Sequence, residues 1–286
     1  MAAGARKVGA PPISVGRKAA LYAGLTLAAI VSIGPILWAL LTSVKPHELV
    51  VSSTPVWLFR PTLDNYATVF WYSSYGTYTL NSLLVAGAAT LVSVLLGALA
   101  AYGFARLKFR GSAFLQLFIL ATRFLPFVAV VVPYYLLMNT LGLLDTHLAL
   151  ILAYVSFSLP FSTWMMIGFF ADVPKELDES AMVDGCTRFG AFRRVILPLT
   201  LPGMAATAMI SFLVAWNEFF FAVVLTNTSA RTVQVGVTAF LDNPQTGSNW
   251  ELISAAAVIA MLPLLVLATF AQKYLVRGLT FGAVNK

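Results

Sequence analysis

Few residues in this chain are of a kind that does covalent chemistry, and their spacing does not suit it. Cys186 is the only cysteine, and the two histidines, His47 and His147, are far apart in sequence. No zinc spacing, haem motif, nucleophile elbow or GxxxxGK(S/T) phosphate loop occurs, so any nucleotide hydrolysis belongs to another chain. The charges do form a cluster. Asp172, Glu176, Asp178, Glu179 and Asp184 are five of the 11 acidic residues, and all fall in one polar stretch, 172–202, deep within an apolar sequence. Two further charges, Arg123 and Glu218, stand alone inside apolar runs.

The polar stretch reads as two short helices. Asp172 can cap, Pro174 suits a first helical position, and Glu176, Asp178 and Glu179 favour a positive helix N-terminus. Gly185 stands where a left-handed C-terminal cap belongs. The second helix has Phe189, Phe192 and Ile196 at helical spacing with Arg188, Arg193 and Arg194 between them, and Pro198 and Pro202 are expected to close it. Two readings fit: a docking element for a partner, or an interfacial amphipathic hairpin with none.

The elements around it are membrane spans. Only 10% of the residues are charged and 59% are hydrophobic, against about 25% charged in a soluble domain. The expected architecture is all-α and integral to the membrane, with six transmembrane helices: 19–41, 78–104, 113–138, 147–171, 203–226 and 251–275. A basic tail, 1–18, precedes this 19–275 region and a second tail, 276–286, follows it. Gly34-Pro35 is expected to kink the first span, and Pro160 to interrupt the fourth. Gly87, Ser93, Gly97 and Ala101 would let the second span approach its neighbours closely.

Six spans put both termini on one side, and charge says which. Fourteen of the 18 basic residues fall on the side of the termini, the Arg106–Arg110 turn and the 172–202 loop; Lys45, Arg60 and Arg231 fall on the other. By the positive-inside rule the termini and the polar loop are cytoplasmic. The net charge of +7 is thereby explained by topology, without nucleic acid.

Glu179-Ser180-Ala181, then Gly185, then Val195-Ile196-Leu197-Pro198 resembles the EAA motif of ABC importer permeases, Glu-Ala-Ala-x3-Gly-x9-Ile-x-Leu-Pro. Ser180 and Val195 depart from it and leave the spacing intact. The stretches 100–106, 109–111, 141–146, 216–219 and 278–284 are similar to the carbohydrate-uptake branch, in particular MalG-type subunits. The resemblance implies the type I (MetI-like) permease fold in a prokaryotic inner membrane. It implies four kinds of partner: a second homologous permease, two ABC ATPase subunits, an extracytoplasmic solute-binding protein and a sugar in transit. No cofactor would sit on this chain; ATP and magnesium would be held by the ATPases.

In that family the EAA loop is a coupling helix seated in a groove of the ATPase. The residues implied here are Glu179, Ser180, Ala181, Asp184, Gly185, Leu197 and Pro198. Ala181 and Gly185 would leave a low surface for docking, with acidic neighbours to meet basic groups. The tail residues Gly278, Thr280 and Gly282 are a second expected ATPase contact.

Arg123, ten residues past Ala113, lies about 15 Å into the bilayer, and Glu218, eight before Thr226, about 12 Å from its outer boundary. Such charges face the bundle interior or water. With Trp216, Asn217 and Phe220 they are candidates for the translocation path; the competing reading is a structural ion pair or internal polar cluster. A secondary transporter would carry internal repeats and ionisable groups for ion coupling, and no convincing repeat is present. The importer reading explains the loop, the topology and the missing phosphate loop together.

Overall fold

The structure is a computed structural model describing residues 14–107, 109–241 and 249–281, with side chains of the last helix as far as Phe270. All regular structure among these residues is helical. In order the helices are α1 (Val15–Ser43), α2 (His47–Val50), α3 (Asp64–Trp71), α4 (Tyr75–Arg106), α5 (Ser112–Ala121), α6 (Phe127–Thr140), α7 (His147–Ala171), α8 (Glu176–Val183), α9 (Arg188–Ala191), α10 (Leu197–Trp216), α11 (Phe220–Leu225), α12 (Val233–Val237) and α13 (Trp250–Phe281).

Five of the described helices are long and apolar enough to cross a membrane by themselves: α1, α4, α7, the continuous run Arg188–Trp216, and α13. The expected span 113–138 is broken instead. α5, its following 3-10 turn (Thr122–Phe124) and α6 bend by 91° around Leu125 and Pro126. Pro126 lacks an N–H and pushes the preceding residue out of the helical region, and Leu125 is extended at ψ 126°.

The bent pair nonetheless crosses as one. His147 at the start of α7 touches Asn81 near the start of α4, and Phe170 at the end of α7 meets Tyr102 at the end of α4. These two helices therefore run parallel, and the chain joining them must return across the membrane. That makes six crossings.

Contact between α4 and α7 dominates the packing. A Cβ added to Gly97 would stand 2.9 Å from Ser162 Cβ and 3.0 Å from the Thr163 nitrogen, whereas one on Gly87 meets nothing within 4 Å. Ser93 and Ala101 are fully buried. Gly97, Ser93 and Ala101 thus bear out the close approach, and Gly87 does not share in it. Gly97→Leu is expected to overpack this seam by about 1–3 kcal/mol. Fluorescence-detected size exclusion should show less monodisperse protein than Gly87→Leu gives.

Pro160 lies inside α7 without ending it. Three residues earlier the Phe157 carbonyl accepts a hydrogen bond from Arg123 Nη1 at 2.9 Å, which ties the bend of the third span to α7. α1 likewise continues through Pro35.

The core has two parts. The larger lies toward the outer half around Tyr75, Tyr154, Phe157, Trp216 and Phe221. The smaller joins Ala98, Ala101, Met166, Phe170, Phe192 and Ile196 beside α8.

Candidate functional site

The first half of the polar stretch keeps its acidic first turn and its capping glycine but begins later than expected. Asp172 ends α7 instead of capping α8, Pro174 precedes the helix, and the N-cap position falls to Lys175 with no side-chain bond. α8 opens with Glu176, Asp178 and Glu179 in its first turn. It closes in a Schellman motif: the Cys186 N–H donates to the Ala181 carbonyl and the Gly185 N–H to that of Met182, with Gly185 at φ +86°. Thr187 then caps α9 by accepting from the Gly190 N–H.

The second half departs from expectation. Pro198 and Pro202 do not end a helix; α9 runs through a π turn (Phe192–Ile196) into α10. In that turn the Leu197 N–H reaches back to the Phe192 carbonyl, so the helix widens just before Pro198, whose missing N–H and ring would strain a regular turn. Pro198 then takes the first turn of α10, where proline is tolerated. The coupling segment is therefore continuous with the fifth span.

Its two faces differ. Glu179, Ser180, Asp184 and Gly185 are exposed, as are Met182 and Val183, the latter at 87%. Ala181, expected at the docking surface, is only 7% exposed and packs inward, because it falls on the face of α8 that carries Asp178. Leu197 is half-buried and Pro198 exposed. The exposed apolar residues that sequence reasoning missed are Val183 and, on α9, Phe189, which is 63% exposed; an apolar Met182-Val183 pair, one residue short of the capping glycine, was the available signal.

Asp178 also turns inward. Its carboxylate accepts from Arg106 Nε and from the Tyr102 hydroxyl, each at 2.7 Å, while Arg106 Nη2 donates to the Val173 carbonyl. The exposed carboxylates of the stretch are thus Glu176, Glu179 and Asp184 on and beside α8, with Asp172 at the end of α7.

Both path candidates sit at breaks in spans. Arg123, half-buried, lies in the 3-10 turn at the bend, hydrogen-bonded to Phe157 and over the Phe161 ring at 5.3 Å. Glu218 lies between α10 and α11, where its carboxylate accepts from the Phe221 and Ala222 N–H groups and caps α11. The two are not paired with each other: Glu218 caps the helix that follows its own break, whereas Arg123 reaches from its bend to a carbonyl of α7. The breaks converge on one aromatic group, Phe127, Phe157 and Phe221, with ring centroids 5.6–6.2 Å apart.

The neighbouring candidates divide. Trp216 is buried at 1% exposure with its Nε1 donating to the Ala260 carbonyl, a packing role. Asn217 is exposed and bonds back to Leu213, and Phe220 is half-buried. At the cytoplasmic end α13 runs on to Phe281, carrying Gly278 and Thr280 on a helix where a separate tail was expected; Gly282 lies outside the described residues. No group of side chains among the described residues could hold a metal ion.

On the outer face the sequence hid a further anchor. Asp145 stands in the left-handed region at φ +58°, and its carboxylate accepts from the N–H groups of Asn227, Thr228, Ser229 and Ala230 and from the Thr228 hydroxyl. Partial burial raises its pKa, but the backbone bonds from Ser229, Asn227 and Ala230 and the Thr228 hydroxyl outweigh it, holding the carboxyl well below its ordinary value. Asn81 Nδ2 adds bonds to the Ser229 and Arg231 carbonyls. Together these fix the start of the outer loop.

Residues 93–281 match the family described as binding-protein-dependent transport system inner membrane component. The chain is 35% identical to the trehalose/maltose transport system permease protein MalG of Thermococcus litoralis, over 93% of this chain and 96% of that one. It is 37% identical to the diacetylchitobiose uptake system permease protein DasC of Streptomyces coelicolor, over 88% and 91%. In fold it is similar to a chain of a bacterial ABC transporter that imports the polysaccharide alginate, with a TM-score of 0.79 at 20% identity over 93% of this chain and 99% of that one. A six-crossing helical subunit with a cytoplasmic polar loop, matching that family over most of its length, belongs to it: the chain is a multi-pass inner-membrane permease subunit of an ABC importer.

Proposed function

We propose that this subunit carries sugars across the membrane as half of a path shared with a second, homologous permease, and that it is driven through α8 by two ATPase subunits holding ATP and magnesium. A solute-binding protein delivers the sugar from outside. The sugar class is supported by relatives named for trehalose, maltose and diacetylchitobiose. The coupling role rests on one observation: α8 presents Glu179, Met182, Val183 and Asp184 outward while its other face is bound to its own subunit. Val183 supplies an apolar contact and the flanking carboxylates supply charge, the composition of an interface core and rim. The unpaired guanidinium donors of Arg123 at the bend are suited to hydroxyl-rich solutes in transit.

The test is a site-directed crosslink in native membranes, with Cys186 changed to serine and Val183→Cys as the sole thiol. An adduct with an ATP-binding-cassette subunit, identified by mass spectrometry, is the expected result. Ala181→Cys, facing inward, should react far less. An abundant, cytoplasmically reactive Val183→Cys protein that captures no such subunit would overturn the coupling role.

A further inference from the structure

The inward face of α8 is bound more firmly than docking alone requires. α8 has only eight residues, too few to persist as a helix without tertiary support. Its covalent links are the turn around Pro174 on one side and the left-handed Gly185 on the other. Neither link fixes the direction of the helix against the bundle.

That direction is set by the last turn of α4. Arg106 ends α4, and its guanidinium holds two points at once: the Asp178 carboxylate on α8 and the Val173 carbonyl in the turn before it. Tyr102, one turn earlier, donates to the other Asp178 oxygen. The Arg106 and Asp178 side chains are 7% and 9% exposed, so little water competes. Below them Tyr102, Phe170 and Phe192 form a layer with centroids 4.7–6.1 Å apart. The same residues line the smaller core, separate from the outer one. The π turn Phe192–Ile196 joins this unit to α10, and π turns are recurrent places of local give at functional sites.

We infer that Arg106, Asp178 and Tyr102 form a lock that makes α8 and the cytoplasmic end of α4 one rigid lever, delivering a stroke received at α8 to the second span. Arg106 and Asp178 are positioning residues in this scheme. A buried, two-point guanidinium contact suits the task because it fixes orientation as well as distance. An apolar contact of the same area would hold α8 near the bundle and leave it free to roll. The inference rests on the coupling role proposed above for α8.

The test uses the whole complex, both permeases and the ATPases, in nanodiscs, with ATP and the transporter's own binding protein. Three quantities are read: ATPase co-purified per permease, basal hydrolysis, and hydrolysis stimulated by the binding protein. Arg106→Gln and Asp178→Asn are each expected to keep co-purification and basal hydrolysis and to lose stimulation by about tenfold, with the double variant no worse than either single, since both break one contact. Should these accumulate poorly, Arg106→Lys, which keeps the charge without the two-point fork, decides the matter by an intermediate loss of stimulation per assembled complex. A merely structural contact would lower the amount of complex and leave the stimulation ratio intact. Stimulation within about twofold of the parent in Arg106→Lys and Asp178→Asn, or single losses that multiply in the double variant, overturns the lock. Failure of the parent permease to retain an ATPase overturns the coupling role itself, and is read separately.

Discussion

Gly185→Val is expected to yield a membrane-inserted subunit that no longer supports import. Gly185 sits at φ +86°, and a Cβ placed there meets nothing within 4 Å. The penalty is therefore one of backbone conformation alone, about 1–2 kcal/mol for an L side chain and more for a β-branched one. Such a cost, set against the whole bundle, leaves folding intact. It is large for the Schellman closure, whose two hydrogen bonds direct the chain from α8 into α9. Relaxing φ would redirect the chain leaving α8 and so move Phe189 on α9 relative to Val183 and Asp184, reshaping the exposed surface they share. Gly185→Asp, less strained because Asp tolerates this region better, is expected to fail in transport as well, since it adds a charge to the exposed surface. Gly185→Asn is the control, tolerated by the conformation and uncharged. Membrane abundance by immunoblot and binding-protein-stimulated ATP hydrolysis separate the outcomes; normal import by the valine variant at normal abundance would refute a coupling role for this turn.

Asp145→Asn should release the outer loop. Asparagine tolerates φ +58° about as well as aspartate, so the substitution removes charge with little change of backbone strain. Four consecutive N–H groups and one hydroxyl converge on the carboxylate. Hydrogen bonds to a charged acceptor contribute about 1.5–3 kcal/mol each in buried settings; solvent reaches this one, so a total of about 2 kcal/mol is expected after screening. Limited proteolysis from the outer side should cut 227–232 faster in the variant. The depressed pKa also fixes a pH dependence. The folded value lies below the unfolded value of about 3.9, so the stabilisation is fully present above that pH and is lost as the medium is acidified below it. Protection of the loop should be flat from pH 5 to 8 by about these limits and absent in Asp145→Asn throughout.

The spans were legible because apolar runs are long and the bilayer demands helices of about 20 residues. Span 147–171 agrees to the residue with α7, since Thr146 caps one end and Asp172 the other. The bend in the third span was not legible in its depth or angle. Pro126 and Pro133 both stand in that run, yet only Pro126 breaks the helix while Pro133 lies inside α6. A proline's effect in a membrane depends on whether a neighbouring helix can re-satisfy the backbone it frees, and that neighbour is not encoded nearby in the chain.

The loop at 172–202 shows the same division at finer grain. The acidic first turn and the left-handed glycine follow from residue type at a given position, which is local physics. Which carboxylate faces inward does not. Asp178 and Glu179 are adjacent and alike, and what separates them is Arg106, 72 residues earlier. Arg123 and Glu218 likewise read as an ion pair, but Arg123 bonds a carbonyl of α7 and Glu218 caps α11. The sequence alone determined that this is a six-crossing membrane subunit, which side its termini face, and where its polar loop begins and turns, because hydropathy, charge asymmetry and capping act over a few residues. Only the tertiary structure decided which charges are buried and which are offered to a partner, because burial is set by helices that meet from distant parts of the chain.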